Sequence, residues 1–122
     1  MPSKRQIFGK KAEDAACLFL DKLGFKILER NYRTRAAEID IIAQHGDFLV
    51  FIEVKARQGL QKGTPGEAVN FSKQKKISLG AAYYLKEKKI DNVRVRFDVV
   101  AICSNNGRFA IELIENAFQA LI

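Results

Sequence analysis

The stretch from Glu38 to Arg57 reads EIDIIAQHGDFLVFIEVKAR, and it decides the fold of this chain. Two runs rich in Ile, Val and Phe flank the polar segment QHGD, which is the pattern of a β-hairpin. The second run, FLVFIEVKA, is almost continuously apolar, as expected for a strand that is covered on both faces. Asp40, Glu53 and Lys55 interrupt these apolar runs, so the hairpin alone does not explain their positions.

The turn predicts how the two strands pair. Whether the whole of QHGD loops or only its central dipeptide turns, the predicted register places Glu38 opposite Glu53 and Asp40 opposite Phe51. A bulge would shift this register by one residue. Alternation with a period of two then predicts one shared face for Glu38, Asp40, Ile42, Leu49, Phe51, Glu53 and Lys55.

Carboxylates gathered at the rim of a packed face allow two interpretations. In the first, the face is a solvated sheet edge on which Lys55 neutralises Glu53. In the second, a divalent cation relieves the repulsion between the carboxylates, because acids across a ladder repel and burial raises that cost. Mg²⁺ takes oxygen ligands and commonly uses one or two carboxylates together with waters and phosphate oxygens. Lys55 would then place a positive charge beside the attacking water or the scissile phosphate.

The rest of the chain predicts an α/β fold of order αβββαββ, with a mixed β-sheet flanked by helices in one domain over residues 1–122. The first helix is predicted over 12–24, where Gly24 is its C-terminal cap. The second is predicted to restart near Asn70 to Ser72, after a capping box at Thr64–Glu67 and a short helical turn. The predicted strands are 25–33, 38–43, 48–56, 92–102 and 108–118.

Composition and charge limit the function classes. With 48% hydrophobic and 29% charged residues the chain is globular. No apolar run approaches the roughly 20 residues that span a bilayer, and the N-terminus has no signal-peptide pattern, so we expect a cytoplasmic protein without a membrane partner. One His and two Cys argue against a zinc site. A net charge of +7 points first to a polyanion, usually nucleic acid.

One short motif and one longer series of motifs resemble those of known protein families. An Asp on one strand followed by Glu-x-Lys on the next resembles the PD-(D/E)xK nuclease superfamily. The wider set GKKAEDAA, RNYRTRAAEIDIIA, VFIEVKAR, GTPGEAV and RFDVV, in this order from Gly9 to about Ile102, resembles the YraN-type family of small bacterial proteins. The resemblance implies a restriction-endonuclease-like core similar to archaeal Holliday junction resolvases.

The resemblance also implies a metal site. Asp40 and Glu53 match the strand carboxylates, Lys55 matches the lysine of the motif, and Glu13 matches the helix acid that completes the metal site in junction resolvases of this fold. The implied cofactor is Mg²⁺, with Mn²⁺ as the alternative. The family's Gly-Glu pairs read Ala-Glu here, so both acids are kept and Glu38 is a supporting acid.

Basic residues flank the predicted site. Lysines in the first turn of a helix oppose the helix dipole, which suggests that an anion docks there; a solvated basic face is the alternative. The expected nucleic-acid contacts are Arg33, Arg35, Arg57, Lys73, Lys75 and Lys76. Asp98 alternates with Arg94 and Arg96 and is expected in a structural salt bridge, while His45 is expected in an exposed turn.

Two function hypotheses follow. The first is a Mg²⁺-dependent endodeoxyribonuclease acting on branched or damaged DNA, and the second is a nucleic-acid-binding module of the same fold without turnover. An adaptor that meets only proteins is a third. Because Glu13, Asp40, Glu53 and Lys55 are all retained, the sequence favours the nuclease. A homodimer, which cleavage of both strands of a junction would require, is left open.

Overall fold

The chain folds into a five-stranded mixed sheet with a helix against each face, in a computed structural model that describes residues 1–58 and 69–121. The elements are α1 Lys4–Lys22, β1 Lys26–Arg33, β2 Glu38–His45, β3 Phe48–Gln58, α2 Phe71–Glu87, β4 Arg94–Asn105 and β5 Arg108–Phe118. The sheet order is β1-β2-β3-β4-β5, and of its neighbouring pairs β3 and β4 run parallel. The predicted α/β fold is confirmed and is consistent with a restriction-endonuclease-like core. The predicted capping box at Thr64–Glu67 and the short turn after it lie outside the described residues.

Helix α1 begins at Lys4, earlier than the predicted residue 12. The Ser3 hydroxyl accepts the N–H of Gln6 at 3.1 Å, and the Gln6 side chain accepts the N–H of Ser3 at 2.8 Å. This reciprocal capping box satisfies donors that a helix start leaves free. Gly24, at φ +90°, follows the helix as predicted, because this left-handed conformation favours glycine. Within residues 1–58 and 69–121, neither helix is long and apolar enough to cross a membrane.

The sheet has an apolar core on each face. Buried residues on the α1 face are Ala12, Ala16, Leu20, Phe25, Ile41, Ala43, Val50, Ile52, Val100 and Ile102. Buried residues on the α2 face include Ile39, Ile42, Leu49, Phe51, Ile77, Ala81 and Tyr84. The predicted alternation of β3 is confirmed, since Leu49 and Phe51 face α2 while Val50 and Ile52 face α1.

The turn between β2 and β3 lies one residue later than predicted. β2 continues through His45, which pairs with Phe48, so that Gly46 and Asp47 alone form the turn. Gly46 adopts φ +59°, a conformation that costs glycine little. The position of this glycine sets the length of the hairpin.

The later turn changes the predicted pairing. Ile42, and not Asp40, pairs with Phe51, a shift of two residues, so the predicted pairing of Glu38 with Glu53 is also wrong. Because the side-chain period of a strand is two, an even shift leaves the β3 side chains on their predicted faces. The predicted register of the hairpin was therefore wrong, whereas the prediction of which β3 side chains lie on each face of the sheet was right. The alternation predicted for β2 is wrong at Asp40, because Ile39 and Ile42 both face α2 while Ile41 faces α1.

Helix α2 approaches the sheet closely beside the candidate site. Asn70 caps the helix, accepting the N–H of Lys73 at 2.8 Å, as the predicted restart near Asn70 requires. A Cβ atom on Gly80 would lie 3.1 Å from Ile39 Cδ1, so glycine at this position permits the close approach. Ile39 directly precedes Asp40, and its packing against α2 fixes the strand that presents this carboxylate.

The predicted salt bridge of Asp98 is confirmed with Arg96. Asp98 is fully buried, and its Oδ2 lies 2.9 Å from Arg96 Nη2, while its Oδ1 accepts the N–H of Asn116 at 2.9 Å. The prediction of an exposed turn for His45 is wrong. Its ring stacks on Phe25 with centroids 3.9 Å apart, and its Nδ1 lies 3.0 Å from Arg96 Nη2.

Candidate functional site

Asp40 and Glu53 meet where the ladder between β2 and β3 ends. The last pair of that ladder is Ile41 with Ile52, and one further step brings Asp40 level with Glu53. Asp40 Oδ2 accepts the N–H of Val54 at 2.8 Å, which holds this carboxyl group against β3. The two carboxyl groups therefore lie next to each other at the end of the hairpin.

Burial dominates the electrostatics of this pair. Glu53 is 6% exposed although it carries an ionisable group, so the solvated-edge interpretation is wrong for this residue. Burial, followed by the charge of Glu53, raises the pKa of Asp40 from 3.8 to about 7. Burial also raises the pKa of Glu53, and the charges of Lys73 and Lys55 oppose that rise. In the absence of a cation the pair therefore retains a proton close to neutral pH.

One oxygen of the pair has no partner. Within the described residues, Glu53 Oε2 is buried and makes no hydrogen bond, whereas Glu53 Oε1 lies 3.6 Å from Lys73 Nζ. An unsatisfied buried acceptor is costly, and Mg²⁺ and Mn²⁺ prefer oxygen donors of this kind. The donor set of Asp40 and Glu53 therefore fits a divalent cation.

Glu13 lies near the pair but contacts other residues. Burial is the main cause of the raised pKa of Asp40, and the charge of Glu13 adds a smaller part. Glu13 Oε1 lies 3.6 Å from Arg30 Nη2. With the Asn31 amide oriented so that its nitrogen donates, that nitrogen lies 3.1 Å from Glu13 Oε1 and 3.2 Å from Glu38 Oε1.

The structure thus brings two of the three predicted metal ligands together. Across residues 1–58 and 69–121, no three His, Cys, Asp or Glu side chains are grouped so that they could hold a metal ion. A cation at Asp40 and Glu53 would take its other ligands from water and from substrate oxygens, which is common for Mg²⁺. Glu13 is placed as a neighbouring acid of this pair.

Lys55 opens onto a basic groove. It follows Glu53 by two residues on β3 and lines a groove of about 820 Å³ that runs along the start of α1. Arg57, a predicted nucleic-acid contact, lines the same groove, together with Lys4 and Arg5. Sequence reasoning missed these last two residues. Their signal was the sequence SKRQ, a capping-box pattern that would have started α1 earlier and placed both at its N-terminus.

The other predicted basic residues are distributed around the acids. Arg33 Nε lies 3.5 Å from Glu38 Oε2, in a groove of about 620 Å³ that Arg30 and Asn31 also line. Lys73 and Lys76 line a smaller cavity of about 230 Å³, and Glu38 borders both spaces. The remaining predicted contacts, both exposed, are Arg35 and Lys75.

The raised pKa of Asp40 predicts an unusual pH dependence for the metal-free protein. Between pH 3.8 and about 7 the native state holds a proton that the unfolded chain has released. The free energy of unfolding should therefore fall as pH rises through this window and level off above it. Thermal melts in EDTA should show this fall, and Asp40→Asn, which cannot titrate, should show a smaller one. Equal pH profiles for the two proteins would contradict the assignment.

Comparison with known proteins places the chain in a family. The sequence matches the family described as "Uncharacterised protein family UPF0102" over residues 12–102. A UPF0102 protein of Desulforapulum autotrophicum is 56% identical over 119 residues, with 98% of each chain covered. A UPF0102 protein of Rhodococcus opacus is 50% identical over 111 residues, covering 90% of this chain and 94% of that protein.

A third relative, the UPF0102 protein of Syntrophus aciditrophicus, is 46% identical over 111 residues, covering 91% of this chain and 87% of its own. The matched range runs from α1 into β4 and includes Glu13, Asp40, Glu53 and Lys55. Such coverage agrees with the YraN-type resemblance seen in the motifs. The chain therefore belongs to the uncharacterised protein family UPF0102.

Proposed function

We propose that this protein is a metal-dependent endonuclease that hydrolyses DNA phosphodiesters, with Holliday junctions and other branched DNA as the substrate class. The observation that supports this most strongly is the pairing of half-buried Asp40 with buried Glu53, one of whose carboxylate oxygens has no partner within the described residues. Two lysines, Lys55 and Lys73, act electrostatically on that pair. A positive net charge of +7 suits a polyanionic substrate.

The residues of the pair have distinct roles in this proposal. Asp40 and Glu53 would hold Mg²⁺ or Mn²⁺, and Glu13 would add negative charge nearby. When bound, the cation supplies an acidified water and offsets the negative charge that develops at phosphorus. Lys55, whose charge acts on Glu53, would hold a water molecule or a phosphate oxygen with its ammonium group. Because β3 is the central strand, this arrangement rests on a rigid element.

The groove at Lys55 supports a nucleic-acid backbone as the ligand. Lys4, Arg5 and Arg57 line it together with Lys55, so that positive side chains extend away from the acid pair. Contacts of lysine and arginine with phosphates supply affinity and fix register without reading sequence. A backbone that follows these residues would bring a phosphate to Lys55.

The proposal is tested with labelled linear, flapped and four-way DNA incubated with Mg²⁺, Mn²⁺ or EDTA. Cleavage is expected with either metal and not in EDTA, with branched DNA cut in preference to linear DNA. Asp40→Asn protein purified in parallel controls for contaminating nucleases. Paired cuts on opposite strands would indicate two copies on one junction, so the same panel tests the homodimer that the sequence leaves open. Binding to these substrates without cleavage of any of them would contradict the proposal.

The second candidate is a nucleic-acid-binding module of the same fold without turnover. The contacts of Glu13 favour it, because this acid is engaged by Arg30 and Asn31 instead of joining Asp40. This candidate predicts salt-dependent binding to nucleic acid that Mg²⁺ does not strengthen and that Asp40→Asn does not change. The nuclease hypothesis predicts instead that both Mg²⁺ and Asp40→Asn change the binding of nucleic acid.

A further inference from the structure

Lys73 reaches the acid pair from α2, a different element from those that carry the two carboxylates. Its N–H is bound by the helix cap Asn70, and its ammonium group lies 3.6 Å from Glu53 Oε1. The side chain of Lys73 is 40% exposed, whereas that of Glu53 is 7% exposed. Lys73 can therefore swing into solvent on its flexible stem, while Glu53 is held in place.

Positive charge already surrounds the pair when no cation is present. Lys73 and Lys55 bring two positive charges to Glu53. A divalent cation would add two more positive charges at a buried position, where repulsion between like charges is strong. Lys73 occupies a carboxylate oxygen and has a path to solvent, so its ammonium group is the one that a cation would displace.

The surroundings of Lys73 contain a place where the displaced ammonium group would meet an anion. The first turn of α2 contains no acidic residue, and the N-terminus of a helix attracts negative charge. Lys73 and Lys76 line one cavity of about 230 Å³ beside this turn. A phosphate placed there would meet both lysines, whose two positive charges outweigh the single negative charge of Glu38 in the same cavity.

We propose that Lys73 is the internal counter-ion of Glu53 in the metal-free protein, and that a divalent cation displaces it onto a phosphate of the bound nucleic acid. The inference rests on the proposed function and adds a coupling between the binding of the cation and the binding of nucleic acid. Metal binding strengthens nucleic-acid binding through Lys73, and nucleic acid strengthens metal binding by the same factor. Neither effect requires a change in the fold.

The first test compares Lys73→Gln with Lys76→Gln, which removes the same charge one turn along the same helix. Thermal melts are recorded in EDTA and in a Mg²⁺ titration without DNA. Lys73→Gln should melt lower in EDTA, because Glu53 loses its counter-ion, and should gain more from Mg²⁺ than wild type does, because a competing cation is gone. Lys76→Gln should follow wild type in both respects. Identical behaviour of the two variants would overturn the proposal.

The second test measures the salt dependence of duplex DNA binding by fluorescence anisotropy, in a Lys55→Ala background with DNA integrity checked on gels. In Mg²⁺, the slope of log affinity against log salt should be about 0.9 smaller in magnitude for Lys73→Gln than for its parent, which is one phosphate contact. In EDTA the two slopes should coincide. Lys73→Arg should restore the parental behaviour, since it keeps the charge. A slope difference that is the same with and without metal would overturn the proposal.

These outcomes separate the inference from the function on which it rests. If the melting temperature of the wild type does not respond to Mg²⁺, the proposed metal site is wrong, and so is the proposed displacement of Lys73. If the wild type responds to Mg²⁺, but the effect of Lys73→Gln on the salt slope is the same with and without metal, only the proposed displacement of Lys73 is wrong.

Discussion

Asp40→Asn is expected to abolish both the response to Mg²⁺ and DNA cleavage, while leaving the metal-free protein at least as stable as wild type. The substitution removes a proposed metal ligand, but it also removes a half-buried charge that Glu53 repels. A native-state ligand at 100 times its dissociation constant adds about 2.7 kcal/mol to the free energy of unfolding, and the variant should lose this gain. Thermal melts with EDTA and with millimolar Mg²⁺, alongside cleavage assays, measure both effects.

Lys55→Ala is the matched comparison, because it changes a charged residue near Glu53 without removing a proposed metal ligand. It should abolish cleavage and keep the Mg²⁺-dependent rise in melting temperature. If instead Lys55 serves only to neutralise Glu53, Lys55→Ala will lose stability and Asp40→Asn will respond to metal as wild type does. The two accounts thus differ in the metal response of Asp40→Asn, which is lost in the first and retained in the second.

Asp98→Asn is expected to lower the free energy of unfolding by about 3–5 kcal/mol. Asp98 is fully buried and Arg96 is 8% exposed, so the neutral amide would leave a buried guanidinium group without its counter-charge. The ring of His45, which contacts Arg96, cannot replace that charge. Urea unfolding monitored by circular dichroism gives the difference.

A surface ion pair provides the control for Asp98→Asn. Arg33 and Glu38 lie 3.5 Å apart with side chains that are largely exposed, and Glu38→Gln should change stability by less than about 1 kcal/mol. If Asp98→Asn behaves like Glu38→Gln, the buried pair does not hold β4 in place and its role in the fold is misassigned.

Local patterns in the sequence were sufficient to predict the elements and the facing of β3. Alternation along a strand depends only on neighbouring residues, so Leu49 and Phe51 could be assigned to one face without knowledge of the fold. The N-cap of α2 at Asn70 and the glycine that follows α1 are signals of the same local kind. The pattern SKRQ was equally local and would have corrected the start of α1.

The register of the hairpin could not be predicted, because it depends on which residues turn. The segment QHGD contains a glycine, but His45 belongs to β2, where Phe25 stacks on its ring and Arg96 contacts its Nδ1. Both partners lie far from His45 in sequence. With these contacts β2 continues through His45, and the later turn moves the pairing by two residues.

The site was only partly predictable, for the same reason. Asp40 and Glu53 were recognisable because they interrupt apolar strands that are close in sequence. The ion pair between Lys73 and Glu53 joins α2 to β3, and the sequence showed Lys73 only as one of several lysines at a helix start. Asn31 adopts φ +53° within β1, which breaks the alternation of the strand and places its amide between Glu13 and Glu38. No local pattern in the sequence predicts that a strand residue will adopt this conformation.

The central claim is that Asp40 and Glu53 bind a divalent cation, and calorimetric titration with Mg²⁺ tests it most directly. The titration is run at about pH 6, below the pKa of about 7 of Asp40, in two buffers with different heats of ionisation. The account predicts saturable binding by the wild type with release of up to about one proton, and no binding by Asp40→Asn. Absence of saturable binding by the wild type, or an equal response from Asp40→Asn, would contradict it.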